Sequence, residues 1–396
     1  MNPKSTTINV LGLGYVGLPS ALLLASNNFK VIGTDISKDL VKSLSEQKLI
    51  LDEEDLNKLY KKVLNENKIK FSSKVAKSDF FIICVPTPCI EGNKADLSYI
   101  FMAIDNIIKV LEEENIIIIE STIPVGTCDL IKDYIKSNSN IQDPKICHCP
   151  ERVLPGASIT EILNNDRVIG GTNPKVTNRV GDLYKSWTHS TLFYMSSNEA
   201  ELVKLLENSF RDVNIAFANT VSRICESFNL SSKRVIQAAN RHPRVSILNP
   251  GIGVGGHCIP IDPYFLISML PTETDLLLSA RKLNKSQPVH IAKKLINLIN
   301  NSEKNLDLEI FGLAYKADTS DMRESPAIEI TKYLIENFSD RKIYLYDPLL
   351  KVNNVLGNEI IKELSFREKS LKIILVDHSI FKEIDGRRVI RVSDIL

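Results

Sequence analysis

No pair of CxxC motifs occurs in this chain, which removes the usual framework for a structural zinc site. Its cysteines are Cys84, Cys89, Cys128, Cys147, Cys149, Cys225 and Cys258, an odd count in a chain too long to need disulfide staples. Charge of one sign is also missing. The 49 Lys and Arg against 48 Asp and Glu leave a net +1. Nucleic acid as a main partner normally requires a basic surplus and is not expected. Long hydrophobic runs are absent too. Phe80–Val85 and Ile116–Ile119 fall far short of the roughly 20 residues of a membrane span and read instead as buried parallel strands. Met1–Thr7 is short and polar, without the pattern of a signal peptide, so the expected compartment is the reducing cytoplasm. No short repeat or low-complexity tract is visible.

What is present begins at the N-terminus. Ile8–Leu11 is a short apolar strand, Gly12-Leu13-Gly14-Tyr15-Val16-Gly17 follows at once, and Leu18–Ala25 has the pattern of a helix. This is GxGxxG with a strand before it and a helix after it. Gly12 makes the turn, Gly14 admits a pyrophosphate, and Gly17 lets the helix pack on the strand. The helix N-terminus then faces the phosphate charge. A second strand, Lys30–Thr34, ends at Asp35, 21 residues after Gly14. A carboxylate there accepts hydrogen bonds from ribose hydroxyls and repels a 2′-phosphate, which favours NAD over NADP.

More α/β alternation follows. Ser78–Val85 is a strand that ends in Pro86-Thr87-Pro88, and Ile116–Glu120 is a strand that ends in Ser121–Thr127. In a parallel sheet the ligand sits beyond the carboxyl ends of the strands, so Thr87 and Thr122 are expected at the cofactor crevice. Cys147-His148-Cys149 has the look of a metal cluster, but a strand running into Pro150 accounts for it, and no metal is expected. Glu151 then lies at the crevice mouth, followed by Arg152 and Val153. Arg167–Gly171 reads as one more strand, at the edge of the sheet.

From Asn198 to about Phe228 there is neither Gly nor Pro, and apolar residues recur at helical spacing: Leu202, Leu205, Leu206, Phe210, Val213 and Phe217. A helix of about thirty residues spans some 45 Å, which suits a bridge between domains or a dimer interface. Lys204, Asn208 and Arg211 fall at i, i+4 and i+7, on one face. Beyond it, Asn240-Arg241-His242-Pro243-Arg244-Val245 is a dense cluster of donors suited to a phosphate or a sugar that carries an acyl amide.

The run Gly253–Asp262 holds the most chemistry. A thiol, Cys258, follows a glycine-rich loop, with Asp262 four residues on. Glycines permit close backbone approach to a ligand. Pro260 suits the first turn of a short helix through Phe265 and Leu266, which would put Cys258 at a helix N-terminus that stabilises its thiolate.

A second, smaller α/β unit of Rossmann type closes the chain. Leu308–Gly312, Lys342–Tyr346 and Leu371–Val376 are its strands, and a helix runs from Pro326 to Glu336. It lacks GxGxxG, so a nucleoside diphosphate held partly by Lys316 fits it better than a dinucleotide.

Taken together these motifs resemble the UDP-glucose/GDP-mannose dehydrogenase family. The matching segments are Gly12–Gly17, Ser121–Thr127, Pro150–Gly156, Glu207–Asn219, Gly253–Asp262 and Arg323–Pro326. Glu207–Asn219 and Arg241–Val245 are most like members that act on UDP-N-acetyl-D-mannosamine. Ile259-Pro260-Ile261 is closer to members that act on UDP-N-acetylglucosamine, and Thr220 stands where relatives often carry Glu. UDP-glucose remains the other alternative substrate. The resemblance implies an α/β fold of two Rossmann-like domains, an N-terminal NAD-binding one and a C-terminal UDP-binding one, joined by a helical segment that dimerises. The expected boundaries are 1–193, 194–290 and 291–396.

The resemblance also implies two successive oxidations of a sugar C6 alcohol by two NAD. Cys258, Lys204, Asn208, Asp262, Glu151 and Thr122 would be catalytic, with Glu151 as the base for thioester hydrolysis. Gly12, Gly14, Tyr15, Val16, Gly17, Asp35, Thr87, Thr122 and Arg323 would contact NAD. Arg152, Val153, Lys204, Asn208, Arg211, His242, Arg244, Gly255, Tyr315 and Lys316 would contact the UDP-sugar.

Overall fold

The computed structural model describes residues 2–48, 53–153, 157–303, 306–364 and 366–396. Leu154-Pro155-Gly156, the end of one matching segment, lie outside the described residues. The chain forms two compact units that divide between Leu206 and Glu207, inside the long helix Ser197–Ser227.

The first unit is built on an eight-stranded sheet. Its order is Leu192–Ser196, Arg167–Gly171, Lys145–His148, Ile116–Ile119, Phe80–Ile83, Thr7–Leu11, Lys30–Thr34, Ile69–Ser72. The last six are mutually parallel. Parallel strands with both faces covered are apolar throughout. Ile116–Ile119 and Phe80–Ile83 are accordingly buried at every position. Phe80 and Ile82 feed one core and Phe81 and Ile83 the other. Each such side chain contributes roughly 1.5–3 kcal/mol, more than a typical exposed ion pair at about 0–1 kcal/mol.

One expectation needs correction here. Arg167–Gly171 is not the edge strand. It pairs antiparallel with Lys145–His148 and parallel with Leu192–Ser196, which takes the edge. Its Arg167 is buried beside the Glu151 carboxylate, which neutralises it.

The second unit has a six-stranded sheet in the order Asn354–Val355, Asn358–Ile361, Ile343–Tyr346, Asp307–Phe311, Ser370–Ile374, Val389–Arg391. Helices Ser232–Ala239, Asp262–Met269 and Asp275–Asn300 precede it in the chain. The helix Pro326–Asn337 opens on its expected proline. The helix after Cys258 starts at Asp262 and carries Pro263, not Pro260, in its first turn. Cys258 therefore lies in the turn before the helix rather than at its first residue.

Candidate active site

In the first unit the glycine loop is shaped by close contacts. Gly12 has φ +90°, and a Cβ there would fall 2.6 Å from the Cys84 carbonyl oxygen. A Cβ on Gly17 would fall 1.9 Å from the Gly12 oxygen, which is why helix and strand meet only through glycine. Gly14 has nothing within 4 Å of its missing Cβ, so space is left on that side. The helix Gly17–Ser26 has no side-chain cap and no acid in its first turn. Tyr15 is exposed beside it, and Val16 is the residue at its start. An uncapped helix start next to open space fits a pyrophosphate.

Asp35 has a second task besides the expected ribose contact. Its Oδ2 accepts from Leu13 N at 2.9 Å and its Oδ1 from Ser37 N at 2.9 Å, so it braces the glycine loop. Thr87 and Thr122 meet at the ends of their strands, where the Thr87 hydroxyl donates to the Thr122 carbonyl at 2.7 Å.

Glu151 does not stand open at a crevice mouth. It is buried and bonded to Arg167 Nη2 at 3.1 Å, and its other oxygen accepts from Arg152 N at 2.7 Å. Burial alone would lower the Arg167 guanidinium; the Glu151 carboxylate beside it turns that into a rise. Arg167 also lies 4.9 Å over the Tyr184 ring, and the Tyr184 hydroxyl donates to Glu120. Burial, and then the Glu151 charge, push the Glu120 carboxyl up. Arg152 donates through Nη1 to the Asp166 carbonyl, and Val153 packs against the core.

His148 is buried, with Nδ1 2.8 Å from the Ile119 carbonyl. Burial, with the nearby Lys204 ammonium adding to it, lowers the imidazole to about 3. Lys204 itself is buried. Burial pushes Cys149 up to about 12 and Cys84, Cys128 and Cys147 well above the ordinary thiol range. Among the described residues no group of three or more His, Cys, Asp or Glu side chains could hold a metal ion.

In the second unit Cys258 is half-buried. Its carbonyl accepts from Ile261 N at 3.0 Å and Asp262 N at 2.9 Å, which turns the chain into the helix. Asp262 is buried, and its carboxylate accepts from the Asn208 amide at 2.5 Å. One residue of the long helix is thus tied to the turn that bears the thiol.

The glycines of this loop serve internal packing. A Cβ on Gly255 would fall 2.6 Å from the Glu324 carbonyl oxygen and 2.7 Å from Tyr315 Cβ. Gly256, with φ +87°, donates to the Arg323 carbonyl at 2.9 Å. The expected open approach for a ligand at Gly255 is therefore filled on its Cβ side by the chain itself. Arg323 binds Asp321 through Nε and Nη2. Arg211, His242 and Arg244 are exposed. Tyr315 and Lys316 line a cavity of about 280 Å³ with Pro250–Gly253 and the end of the strand Ser370–Ile374.

A buried polar chain supports that cavity. Arg281 donates to Asp212 at 2.6 Å, Asn284 to Asp212 at 2.8 Å, and Asn219 to Asn284 at 3.2 Å. Gly251 N donates to Asn219 at 2.8 Å, and the Gly251 carbonyl accepts from Gln287 at 3.1 Å. Sequence reasoning did not find this chain. Its only trace is an acid and amides on the inner face of helices where apolar residues are the rule.

The chain matches three sequence models in succession. They describe the NAD binding domain (residues 6–188), the central domain (198–286) and the UDP binding domain (309–393) of the UDP-glucose/GDP-mannose dehydrogenase family. It is 40% identical over 397 residues to the UDP-N-acetyl-D-mannosamine dehydrogenase of Methanocaldococcus jannaschii, covering 98% of this chain and 89% of that protein. It is 36% identical over 396 residues to the NDP-N-acetyl-D-galactosaminuronic acid dehydrogenase of Ralstonia nicotianae, covering 97% and 93%. The solved structure of a UDP-D-ManNAc dehydrogenase from Pyrococcus horikoshii superposes with a TM-score of 0.89 at 34% identity, covering 98% of this chain and 96% of that one.

Proposed function

The chain belongs to the UDP-glucose/GDP-mannose dehydrogenase family, and from that premise we propose that it oxidises the C6 alcohol of UDP-N-acetyl-D-mannosamine to the uronate. It is an NAD-dependent nucleotide-sugar dehydrogenase. The observation that carries the four-electron reading is the half-buried Cys258 thiol in a turn whose Asp262 is held by Asn208. Full-length similarity to relatives named for N-acetylmannosamine supports the choice of sugar.

Bound NAD supplies the hydride acceptor for each oxidation. Gly12, Gly14 and Gly17 with the uncapped helix start hold its pyrophosphate, and Asp35 its ribose. Tyr15, Val16, Thr87, Thr122 and Arg323 complete that site. Arg152, Val153, Arg211, His242, Arg244, Tyr315 and Lys316 hold the UDP-sugar, with Gly255 contributing only its backbone because its Cβ side is filled.

In the first oxidation the C6 hydroxyl loses its proton to a water ordered by Lys204, Asn208 and Asp262, and C6 loses a hydride. The Cys258 thiolate then adds to the aldehyde carbon, and the carbonyl oxygen takes a proton back from the ordered water to become the hydroxyl of a thiohemiacetal. Loss of that hydroxyl's proton to the same ordered water and of a second hydride from C6 leaves a thioester. Glu151 takes a proton from water, hydroxide adds to the thioester carbon, and the C–S bond breaks to release uronate and the Cys258 thiolate. Lys204 and Asn208 donate to the oxyanion in each tetrahedral species.

The proposed domains are residues 1–193 for NAD, 194–290 for the helical centre and 291–396 for the UDP-sugar. A homodimer is proposed through the long helix, whose Phe210, Phe217 and Ile224 are exposed at spacings of seven, with exposed Phe228 just past its end. A cytoplasmic site of action is part of the same reading. No helix among the described residues is long and apolar enough to cross a membrane.

The test is a side-by-side assay of UDP-N-acetyl-D-mannosamine, UDP-N-acetylglucosamine and UDP-glucose with NAD, counting NADH per uronate. Two NADH per sugar are expected, with kcat/KM for the mannosamine at least about tenfold above the others, a difference of about 1.4 kcal/mol. A preference for another sugar overturns the epimer. One NADH per substrate points instead to a two-electron hydroxyacid dehydrogenase.

A further inference from the structure

We infer that Glu201 is a positioning residue, a buried carboxylate that fixes Lys204 relative to the loop Ser121–Gly126 by gripping the start of the helix Thr127–Asn138. The inference rests on the role proposed for Lys204.

Glu201 is fully buried on the long helix. Its Oε2 accepts from Gly126 N at 2.6 Å and its Oε1 from Cys128 N at 2.8 Å. Hydrogen bonds to an ionised acceptor are shorter and stronger than neutral ones, and a paired set fixes orientation as well as distance. The helix Thr127–Asn138 has no cap of its own: Gly126 stands at its start with φ +88° and offers no side chain. A carboxylate from 75 residues away supplies the missing acceptors. Asn198 makes a second tie one turn earlier, donating to Asp129 at 3.2 Å.

Lys204 follows Glu201 by three residues, so the two share a face of the helix. The His148 imidazole senses the Lys204 ammonium and is bonded to the Ile119 carbonyl. Ile119 is the last residue of the strand that leads into Ser121 and Thr122. The Thr122 carbonyl is held in turn by Thr87. The ammonium, the threonine loop and the helix start are thus registered by one side chain. Burial raises the Glu201 carboxyl while the Cys128 amide and thiol and the Gly126 amide draw it back, so the site depends on those partners. A buried acid is costly unless it is bonded, so the clamp is also a point of weakness.

The test compares E201Q, E201D, K204A and E201Q/K204A. The E201Q substitution turns an NH₂ toward one of the two amide donors, whereas E201D keeps both acceptors on a shorter stem. E201Q is expected to lower kcat on the order of 10²-fold, as a misplacement of about 1 Å can, with KM for NAD and for the UDP-sugar within about threefold. E201D is expected to recover part of the loss. Adding E201Q to K204A is expected to cost no more than about a further twofold, because residues that act through one another are not additive. Amide exchange at Gly126 and Cys128, slow in the wild type, is expected to quicken at least about tenfold in E201Q. If E201Q does not fold, E201D carries the same exchange and rate comparison. Wild-type turnover by E201Q beside a dead K204A overturns the inference alone, as does an additive double mutant or unchanged exchange. Full turnover by K204A sinks the assignment of Lys204 and this role for Glu201 with it.

Discussion

The two sheets repeat one device and put it to different uses. Leu11-Gly12-Leu13 in the first unit and Phe311-Gly312-Leu313 in the second leave the middle strand in the same way. Each glycine has positive φ, +90° and +80°, and each sits against a carbonyl oxygen of the neighbouring strand end, Cys84 or Val376. Each glycine N–H donates to the last residue of the next strand, Thr34 at 2.9 Å or Tyr346 at 3.0 Å. An acid after that strand accepts from the following leucine N–H, Asp35 from Leu13 at 2.9 Å and Asp347 from Leu313 at 2.7 Å.

Beyond the leucine the two chains part. In the first unit the helix begins at Gly17, five residues after the glycine, and its amides are left uncapped. In the second it begins at Pro326, and the intervening loop carries Tyr315 and Lys316. That loop is closed on itself. Asp347 is fully buried and bonded to His378 Nε2 at 3.3 Å, while His378 Nδ1 accepts from Asp318 N at 2.8 Å. The first turn offers helix amides to a phosphate, and the second offers a fixed lysine.

The comparison breaks most readily at the crowded glycines. Gly17→Ala meets backbone at 1.9 Å and Gly312→Ala at 2.2 Å with unfavourable φ. Each is expected to cost about 3 kcal/mol or more, or to prevent folding, as read by chemical denaturation. Next come the paired acids. Asp347→Asn is expected to destabilise by about 1–3 kcal/mol because a buried acceptor of several donors is lost. Asp35→Asn is expected to cost less stability and more NAD affinity. Equal effects would mean that Asp35 is only a brace.

Open space sharpens the contrast further. Gly14→Ala has nothing to strike in the protein and is expected to melt normally yet raise the NAD dissociation constant about tenfold or more, about 1.4 kcal/mol. Lys316→Ala is expected to raise KM for the UDP-sugar and leave that for NAD unchanged.

A pH slope confined to the first unit is expected as well, small over any tenth of a pH unit and cumulative over several. His148 folds neutral with its imidazole lowered to about 3, so the unfolded chain binds the extra proton below its own value of about 6.5. Its favourable contribution is complete above that value and is lost as pH falls toward 3, at up to about 1.4 kcal/mol per pH unit. Denaturation of His148→Asn across pH 4–7 is expected to show a shallower acid limb than the wild type.

Much of this architecture was legible because parallel strands covered on both faces appear as unbroken apolar runs. Phe80–Ile83 and Ile116–Ile119 are such runs, and the glycine loop declares itself by position. Leu192–Ser196 was not legible, since none of its residues is buried and no alternation marks it. Arg167–Gly171 was read as the edge because the strand beyond it was not seen, and the burial of its arginine depends on Glu151, 16 residues earlier. The helix start near Cys258 was displaced because Pro260 and Pro263 both suit a first turn. Many of the site residues named from motifs fall in loops and strand ends, while Lys204, Asn208 and Arg211 lie on the long helix and Asp262 opens a short one. Glu201 and Asp212 escaped because a buried acid on a helix looks like a surface acid until its partners, Gly126 and Arg281, are folded beside it.

The thiol inventory has a practical consequence. Five of the seven sulfurs are buried or pushed far from reactivity at neutral pH, which leaves Cys89 and Cys258 as the ones a mild alkylating reagent meets first. Even Cys89 is biased toward its protonated form by partial burial. A single reagent, added sparingly, would therefore double as an active-site titrant, and the stoichiometry of label against lost turnover would count functional protomers in any preparation.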